Sequence, residues 1–288
     1  MEVLELIDIH KNIKSHKILT GINLKMNTGE IIGLIGSNGA GKSTLLKIIS
    51  NLLKPSEGEV LINNINVHDN FQQVANEIGY LIEEPVLYPY LTAKEHLHLA
   101  LKLHGKPIND KQINSLATML DITPFLHKKT KNYSMGMKQK LGIACAVIHN
   151  PDIVILDEPT NSIDIKGINL IKKFILQLKS QGKLVIVSSH LLQEIKNICD
   201  HYIMIENGEL INTDSLSTAK SQQYLIYFKE TPETQNKLEP YYPLHKSKEC
   251  ISIEISHTDL NSTLKFIMDN NIHISDIEKV ELSFENFL

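Results

Sequence analysis

The sequence contains no arginine, so all 29 of its basic residues are lysines. A chain without arginine cannot form the bidentate guanidinium contact with which many proteins bind carboxylates and phosphates, and it cannot donate an arginine finger. Any phosphate chemistry of this protein must therefore rely on lysine side chains, backbone N–H groups and a metal ion.

Cysteines are few, and both excess positive charge and long apolar runs are missing. Cys145, Cys199 and Cys250 are far apart and odd in number, which excludes a disulfide framework or a four-cysteine zinc site and suits a reducing cytosol. The formal net charge of −4 argues against a nucleic acid partner. No run of ~18 apolar residues and no basic start with an apolar core occurs, so we expect neither a membrane span nor a signal peptide.

The length of 288 residues suits about two domains of ~150 residues, and 42% hydrophobic with 22% charged residues is typical of globular proteins. Up to residue 212, short apolar runs alternate with helical patterns. The runs that indicate buried strands are 31–35, 153–156, 184–187 and 202–205. This alternation predicts an α/β domain whose mainly parallel sheet is covered by helices on both faces.

Two regions depart from this alternation. Between about residues 90 and 150 only helical patterns occur, beginning with a capping box of Thr92 and Glu95 and ending at Pro151, which predicts an inserted helical subdomain. After a polar segment at 212–215, alternating apolar residues and one helical pattern predict a small α+β appendage. We therefore expect one domain over 1–212 and the appendage over 213–288.

A glycine-rich segment lies between the first buried strand and a helix that we predict to run as far as Leu53. It reads GSNGAGKST and comprises Gly36, Ser37, Asn38, Gly39, Ala40, Gly41, Lys42, Ser43 and Thr44. This is the P-loop pattern in its required strand–loop–helix context. It predicts nucleotide binding, with Lys42 at the β- and γ-phosphates and Ser43 on Mg²⁺. The alternative is a strand–helix turn that binds nothing.

Two carboxylates and one histidine follow later strands. Asp157 and Glu158 end the apolar run IVIL, at the sheet edge where ligands of parallel sheets bind. We expect Asp157 to hold Mg²⁺ and Glu158 to orient and polarise a water molecule. His190 follows another strand and could stabilise charge on the transferred phosphoryl group. The alternatives are two solvated acids and a structural histidine.

One further segment, YSMGMKQKLG at 133–142, precedes the acidic strand. The ordered set GSNGAGKST, YSMGMKQ, ILDEPTNSID and SSH resembles the ATP-binding subunit of an ABC transporter over the whole of 1–212. The resemblance implies a P-loop fold of ABC type and a head-to-tail dimer that holds two ATP molecules. It also implies that Ser134 and Gly136 act on the nucleotide of the other subunit and that Asp164 contacts nucleotide. For Ser134 a plain helix N-cap is the alternative.

This sequence departs from the family pattern at three points. Ile13 occupies the place of the aromatic residue that stacks on adenine, which leaves an apolar contact without stacking, with His16 as a possible substitute. Glu83 replaces the usual glutamine of the Q-loop, where a carboxylate can still bind Mg²⁺ or water. Met135 and Met137 flank Gly136 where glycine and glutamine are commoner.

Glu83 within LIEEP, together with the closing SFENFL, is similar to the ATPases of lantibiotic immunity and bacitracin resistance. This resemblance implies ATP-driven export at the cytoplasmic face of the cell membrane, with a second ATP-binding subunit and separate integral-membrane permease subunits. Three alternatives stay open. They are export of another drug or lipid, a soluble ABC ATPase acting on ribosomes or DNA, and a binding module without turnover.

Overall fold

The computed structural model describes residues 2–189, 198–211, 223–229, 231–246, 250–256 and 259–280. His190 and the closing SFENFL lie outside these residues. Contacts between Cα atoms divide the chain into two compact units, Met1–Thr213 and Asp214–Leu288. In the part of the chain that is described, no helix combines the length and the apolar character needed to span a membrane.

A six-stranded sheet forms the centre of the first unit, with strand order β10-β9-β3-β8-β7-β6. All neighbouring strands are parallel except β10, which pairs antiparallel with β9. The strands are β3 (Ile31–Ile35), β6 (Ile78–Leu81), β7 (Ile153–Asp157), β8 (Leu184–Ser189), β9 (His201–Glu206) and β10 (Glu209–Ile211). Every residue of β3, β7 and β8 is buried, as expected for a sheet covered on both faces.

A second, antiparallel sheet in this unit was not among the predicted elements. Its order is β2-β1-β4-β5, and its strands are β1 (Glu2–Ile13), β2 (His16–Asn27), β4 (Glu57–Ile62) and β5 (Ile65–Asn66). The pairing of β1 with β2 shifts register repeatedly, and Asp8 in β1 has a positive φ of 49°. These irregularities interrupt the period-two alternation by which a half-buried strand is recognised.

Helices cover the central sheet and form the region between residues 90 and 150. They are α1 (Lys42–Ile49), α2 (Phe71–Val74), α3 (Ala93–Leu103), α4 (Asp110–Met119), α5 (Met135–Val147) and α6 (Ile165–Ser180), with 3₁₀ turns at Thr123–Phe125 and Thr130–Asn132. The predicted capping box of Thr92 and Glu95 is confirmed at the start of α3. The helix predicted to reach Leu53 ends earlier, because Asn51 turns into the left-handed region with φ 58°.

The core of the first unit lies around α1. Leu45, Leu46, Ile48 and Ile49 of this helix are at most 1% exposed, and they pack in one cluster with residues of both sheets. Burying each of these side chains stabilises the fold by about 1.5–3 kcal/mol before entropic costs are subtracted. The packing fixes the axis of α1, and with it the position of the loop that precedes the helix.

The second unit has its own sheet and core, as the predicted α+β appendage requires. Its elements are β11 (Gln223–Lys229), α7 (Pro232–Leu238), β12 (Leu244–Lys246), β13 (Cys250–Ser256), α8 (Leu260–Asp269) and β14 (Ile274–Val280). The sheet order is β12-β13-β11-β14 and all neighbouring strands are antiparallel. This is the β-α-β-β-α-β arrangement of ferredoxin-like folds. Ile226, Phe228, Ile251 and Ile253 are fully buried at its centre.

Candidate functional site

The glycine-rich loop spans residues 36–41, between the end of β3 and the start of α1. Gly39 and Gly41 have φ of 85° and 109°, in the left-handed region that favours glycine. A Cβ atom at Gly36 would lie 2.3 Å from the carbonyl oxygen of Ile205, so the loop needs glycine there to lie against β9. The Gly208 N–H donates to the Ala40 carbonyl oxygen at 3.1 Å and holds the loop from the same side.

Lys42 is the first residue of α1 and is 6% exposed. Its Nζ atom donates to the carbonyl oxygens of Gly36 at 2.6 Å and Ser37 at 3.1 Å. Burial lowers the pKa of Lys42, whereas the nearby carboxylates of Glu158 and Asp157 act in the opposite direction. The ammonium group is therefore held inside the loop at the positive end of the helix, as anion binding requires.

Asp157 ends β7 and Glu158 follows it, and a serine of the neighbouring strand β8 binds both residues. Ser188 pairs with Asp157 in the parallel register, and its hydroxyl donates to Asp157 Oδ1 at 2.5 Å. The same hydroxyl accepts the backbone N–H of Glu158 at 2.9 Å. Glu158 has φ 46°, so the chain turns sharply where the strand ends. Sequence reasoning missed Ser188, although a serine ending the neighbouring apolar strand was the available signal.

Two amides bind Glu158 from outside the sheet. The side-chain amide of Asn161 donates to Glu158 Oε2, and that of Gln139 in α5 donates to the Glu158 carbonyl oxygen at 3.4 Å. Neither amide residue was predicted to belong to the site, because α5 and the loop after β7 meet only in the folded chain. The Glu158 carboxylate is therefore oriented by a neighbour rather than left to rotate in solvent.

A cavity of about 300 Å³ collects the predicted metal ligands. Its lining includes Ser43, Glu83, Asp157 and Glu158. Within the described residues no three histidine, cysteine or acidic side chains form a metal cluster. Hydroxyl and carboxylate oxygens nevertheless fit Mg²⁺, which takes one or two protein ligands and completes its shell with phosphate oxygens and water. The oxygen ligands of Ser43 and Asp157 in this cavity match that coordination preference.

Glu83 lies just beyond β6 with φ 62°. Its Oε1 atom is 2.5 Å from Nζ of Lys47, which lies in the last turn of α1. The two side chains are 64% and 32% exposed. The expected role of Glu83 toward Mg²⁺ stays a prediction, and the ion pair with Lys47 is a contact that sequence reasoning missed.

Three further residues that the resemblance implies to contact nucleotide, Ser134, Gly136 and Asp164, lie at the starts of two helices. Ser134 is the N-cap of α5, where its hydroxyl accepts the N–H of Met137 at 3.3 Å. Asp164 is the N-cap of α6 and accepts the N–H of Gly167 at 2.9 Å. The capping alternative for Ser134 is thus present in the single chain. Contacts of Ser134, Gly136 and Asp164 with nucleotide stay predictions.

The remaining predicted site residues lie away from this cavity or outside the described chain. Ile13 and His16 face each other across the turn between β1 and β2, and Ile13 is 46% exposed. Their contact with adenine stays a prediction. His190 belongs to the residues that the structure does not describe.

Fold and site together define a P-loop nucleotide-binding protein. The model of the ABC transporter family matches residues 19–161. The uncharacterized ABC transporter ATP-binding protein YdbJ of Bacillus subtilis (strain 168) is 32% identical over 288 residues, which cover 99% of this chain and 93% of that protein. The bacitracin transport ATP-binding protein BcrA of Bacillus licheniformis is 32% identical, and the alignment covers 99% of this chain and 95% of that protein.

Solved structures agree with these sequence relatives. The dimeric post-hydrolysis state of the ATP-binding cassette MJ0796, bound to ADP and Pi, has a TM-score of 0.65 at 30% identity and covers 73% of this chain and 97% of that chain. The protein described here belongs to the family of ABC transporter ATP-binding subunits. The family resemblance and the fold class predicted from the motifs are confirmed. Membership implies ATP binding and ATP hydrolysis.

Proposed function

We propose that this protein is the ATP-hydrolysing subunit of an exporter that protects cells against a peptide antibiotic of the bacitracin or lantibiotic type. Two copies of the chain hold two ATP molecules between them and act on separate permease subunits at the cytoplasmic face of the membrane. The similarity to a bacitracin transport subunit over 99% of the chain supports the choice of substrate. Export of another drug or lipid is the second candidate.

The observation that carries the ATPase proposal is the convergence of four predicted residues. Lys42 and Ser43 begin α1, while Asp157 ends β7 and Glu158 follows it, so both pairs lie at the carboxyl edge of the parallel strands. This edge is where open α/β sheets bind ligands. Ser43, Asp157 and Glu158 line one cavity, and the buried ammonium group of Lys42 interacts electrostatically with both carboxylates, which supports a site for a metal–phosphate group here.

Hydrolysis on this site uses the residues as follows. Lys42 and the backbone N–H groups of the loop bind the β- and γ-phosphates, and Glu158 accepts a hydrogen bond from the attacking water. The water oxygen forms a bond to the γ-phosphorus, the bond to the bridging oxygen breaks, and ADP leaves with that electron pair. The proton of the water passes through Glu158 to solvent. Ser43 and Asp157 would hold Mg²⁺, which would neutralise charge on the phosphate oxygens.

In the proposed dimer, the N-terminus of α5 contacts the nucleotide bound by the second subunit. Ser134 is exposed there, and a helix N-terminus with free N–H groups binds anions. With Gly136, it binds the γ-phosphate held by the partner. Loss of this phosphate on hydrolysis removes the bridge and lets the dimer open, so the two states differ in their ligand contacts.

A segment between β6 and α3 suits contact with the permease. Val86 in this segment is 98% exposed, Tyr88 is 62% exposed and Tyr90 is 76% exposed. The backbone beneath them is anchored, because the Tyr88 N–H donates to His96 Nε2 at 2.9 Å and its carbonyl oxygen accepts the hydroxyl of Thr130 at 2.7 Å. Exposed apolar side chains on a well-anchored backbone are typical of an interaction surface.

The substrate is tested by a susceptibility panel. Cells that express this chain with its cognate permease are compared with cells that carry the Glu158→Gln variant, using bacitracin, a lantibiotic and an unrelated membrane-active drug. We expect wild-type cells to tolerate at least about tenfold more of one peptide antibiotic, and the variant to lose this tolerance because turnover is blocked. Equal growth on both peptides with tolerance to the unrelated drug would favour the second candidate instead.

A further inference from the structure

Four carboxylates line the cavity in which the proposed function places the phosphates of ATP. They belong to Glu83, Glu84, Asp157 and Glu158. Each negative charge in or beside this space repels a triphosphate, and the repulsion grows as solvent is displaced. Asp157 is bound by the hydroxyl of Ser188, which leaves its charge in place. A cavity of this composition needs compensating positive charge to accept an anion.

Lys47 supplies such a charge from an unexpected side. It lies in the last turn of α1, and its Nζ atom is 2.5 Å from Glu83 Oε1. Lys42 at the phosphate loop and Lys47, which is bound to Glu83, therefore lie on the same helix, and their backbones are about 7.5 Å apart along its axis. Because apolar side chains of α1 are buried in the core, the helix fixes the backbone positions of both lysines.

The backbone conformation at Glu83 directs its side chain toward Lys47. Glu83 has φ 62°, a conformation that non-glycine residues seldom adopt and that clusters at functional sites. The chain thus turns at Glu83, where the side chain lines the cavity and meets Lys47. An ion pair as exposed as this one contributes little to folding stability. Its significance therefore lies in the charge of the cavity rather than in holding the fold together.

We propose that Lys47 is a positioning residue that neutralises Glu83 and holds its carboxylate at the cavity wall, so that ATP phosphates are accepted although a carboxylate lies at this point. The inference rests on the proposed function only in taking ATP as the ligand. Lys47 touches neither the phosphates nor the attacking water, and it acts through Glu83.

A double-mutant cycle on the full-length protein tests this. The variants are Lys47→Met, Glu83→Gln and the two combined, and the readouts are the melting temperature and the affinity for a fluorescent ATP analogue, in EDTA and in Mg²⁺. We expect Lys47→Met to weaken binding about fivefold, with an unchanged melting temperature. In the Glu83→Gln background the same change should cost less than twofold, because no carboxylate is left to neutralise.

Lys179→Met is the matched control. Lys179 is 34% exposed, close to the 32% of Lys47, and it pairs with Asp200 at the same distance of 2.5 Å, although Asp200 is only 26% exposed against 64% for Glu83. Asp200 also accepts the N–H of Ile31, at the opposite end of β3 from the phosphate loop. We expect this variant to bind the analogue like the wild type. In 0.5 M salt the effect of Lys47→Met should shrink, since the charges are partly exposed.

Two outcomes overturn the inference. The first is that Lys47→Met costs the same affinity in the wild-type protein and in the Glu83→Gln variant, or costs none in either. The second is failure of both Lys47→Met and Lys47→Gln to fold, which would assign Lys47 to stability. The proposed function fails differently, by absent protection in cells, and that result leaves the cycle in the purified protein unaffected.

Discussion

His149 is a buried histidine with an incomplete set of hydrogen bonds. It is 4% exposed, its Nε2 atom contacts the carbonyl oxygen of Ile78 at 3.1 Å, and its Nδ1 atom has no hydrogen-bond partner among the described residues. Its ring stacks on that of His104 with centroids 3.5 Å apart. Burial lowers the pKa of His149 to about 4, and the charges of His104, Lys106 and Lys183 act in the same direction.

This histidine makes stability depend on pH. The unfolded chain binds a proton at His149 near pH 6.5 and the folded chain only near pH 4, so the contribution of His149 is complete above pH 6.5 and is lost as pH falls toward 4. The wild-type protein should lose unfolding free energy between pH 7.5 and pH 5.0, and we expect His149→Gln to lose about 1–2 kcal/mol less over the same range. Urea denaturation at the two pH values measures this. An equal loss in both proteins would contradict this.

At the scale of elements, the helical region meets the central sheet through glycine. A Cβ atom at Gly79 in β6 would lie 1.8 Å from the carbonyl oxygen of Ala146 in α5. A Cβ atom at Gly142 in the same helix would lie 2.9 Å from Pro85. The helix therefore packs directly on the backbone of β6, the strand that leads to Glu83.

Gly79→Ala should destabilise this contact. Because the obstacle is backbone, which cannot move aside like a flexible side chain, we expect a loss of about 2–3 kcal/mol in unfolding free energy. Gly182→Ala is the control, since its Cβ atom would have nothing within 4 Å and only its φ of 82° is unfavourable. Chemical denaturation monitored by circular dichroism compares the two. Gly79→Ala no more destabilising than Gly182→Ala would show that β6 and α5 readily separate.

At the scale of the whole molecule, the proposed dimer depends on retaining the γ-phosphate. Glu158→Gln keeps the size and hydrogen-bonding capacity of the side chain but cannot accept a proton, so ATP stays uncleaved. We expect this variant to bind ATP with wild-type affinity and to elute as a dimer in Mg-ATP, with turnover reduced at least about 100-fold. Size-exclusion chromatography with light scattering measures this.

The control for the dimer is Lys42→Ala, which removes the buried ammonium group of the loop and should stay monomeric with or without nucleotide. A Glu158→Gln variant that turns over ATP near the wild-type rate would remove Glu158 from the role of base. A variant that binds ATP and stays monomeric at every protein concentration would contradict the sandwich of two chains.

Several strands of the fold and the residues predicted for the site lie in short contiguous sequence patterns, and they could therefore be predicted from the sequence. The continuous apolar runs of β3, β7 and β8 mark strands buried on both faces, and the P-loop pattern needs only its own nine residues and their flanks. The sheet of β1, β2, β4 and β5 escaped prediction because Asp8 and the shifting register interrupt its alternation. Such a sheet is defined by pairing across the chain rather than by period.

The amino-acid sequence by itself determined the family and the buried strands β3, β7, β8 and β9, and it predicted Lys42, Ser43, Asp157 and Glu158 as site residues, since these follow from contiguous motifs. Only the tertiary structure decided which other side chains contact Asp157 and Glu83. Ser188 is 31 residues from Asp157 and Lys47 is 36 residues from Glu83, and each pair is in contact. Side chains so distant along the chain meet only when packing of the helices and sheets brings them together, and no local pattern encodes that distance.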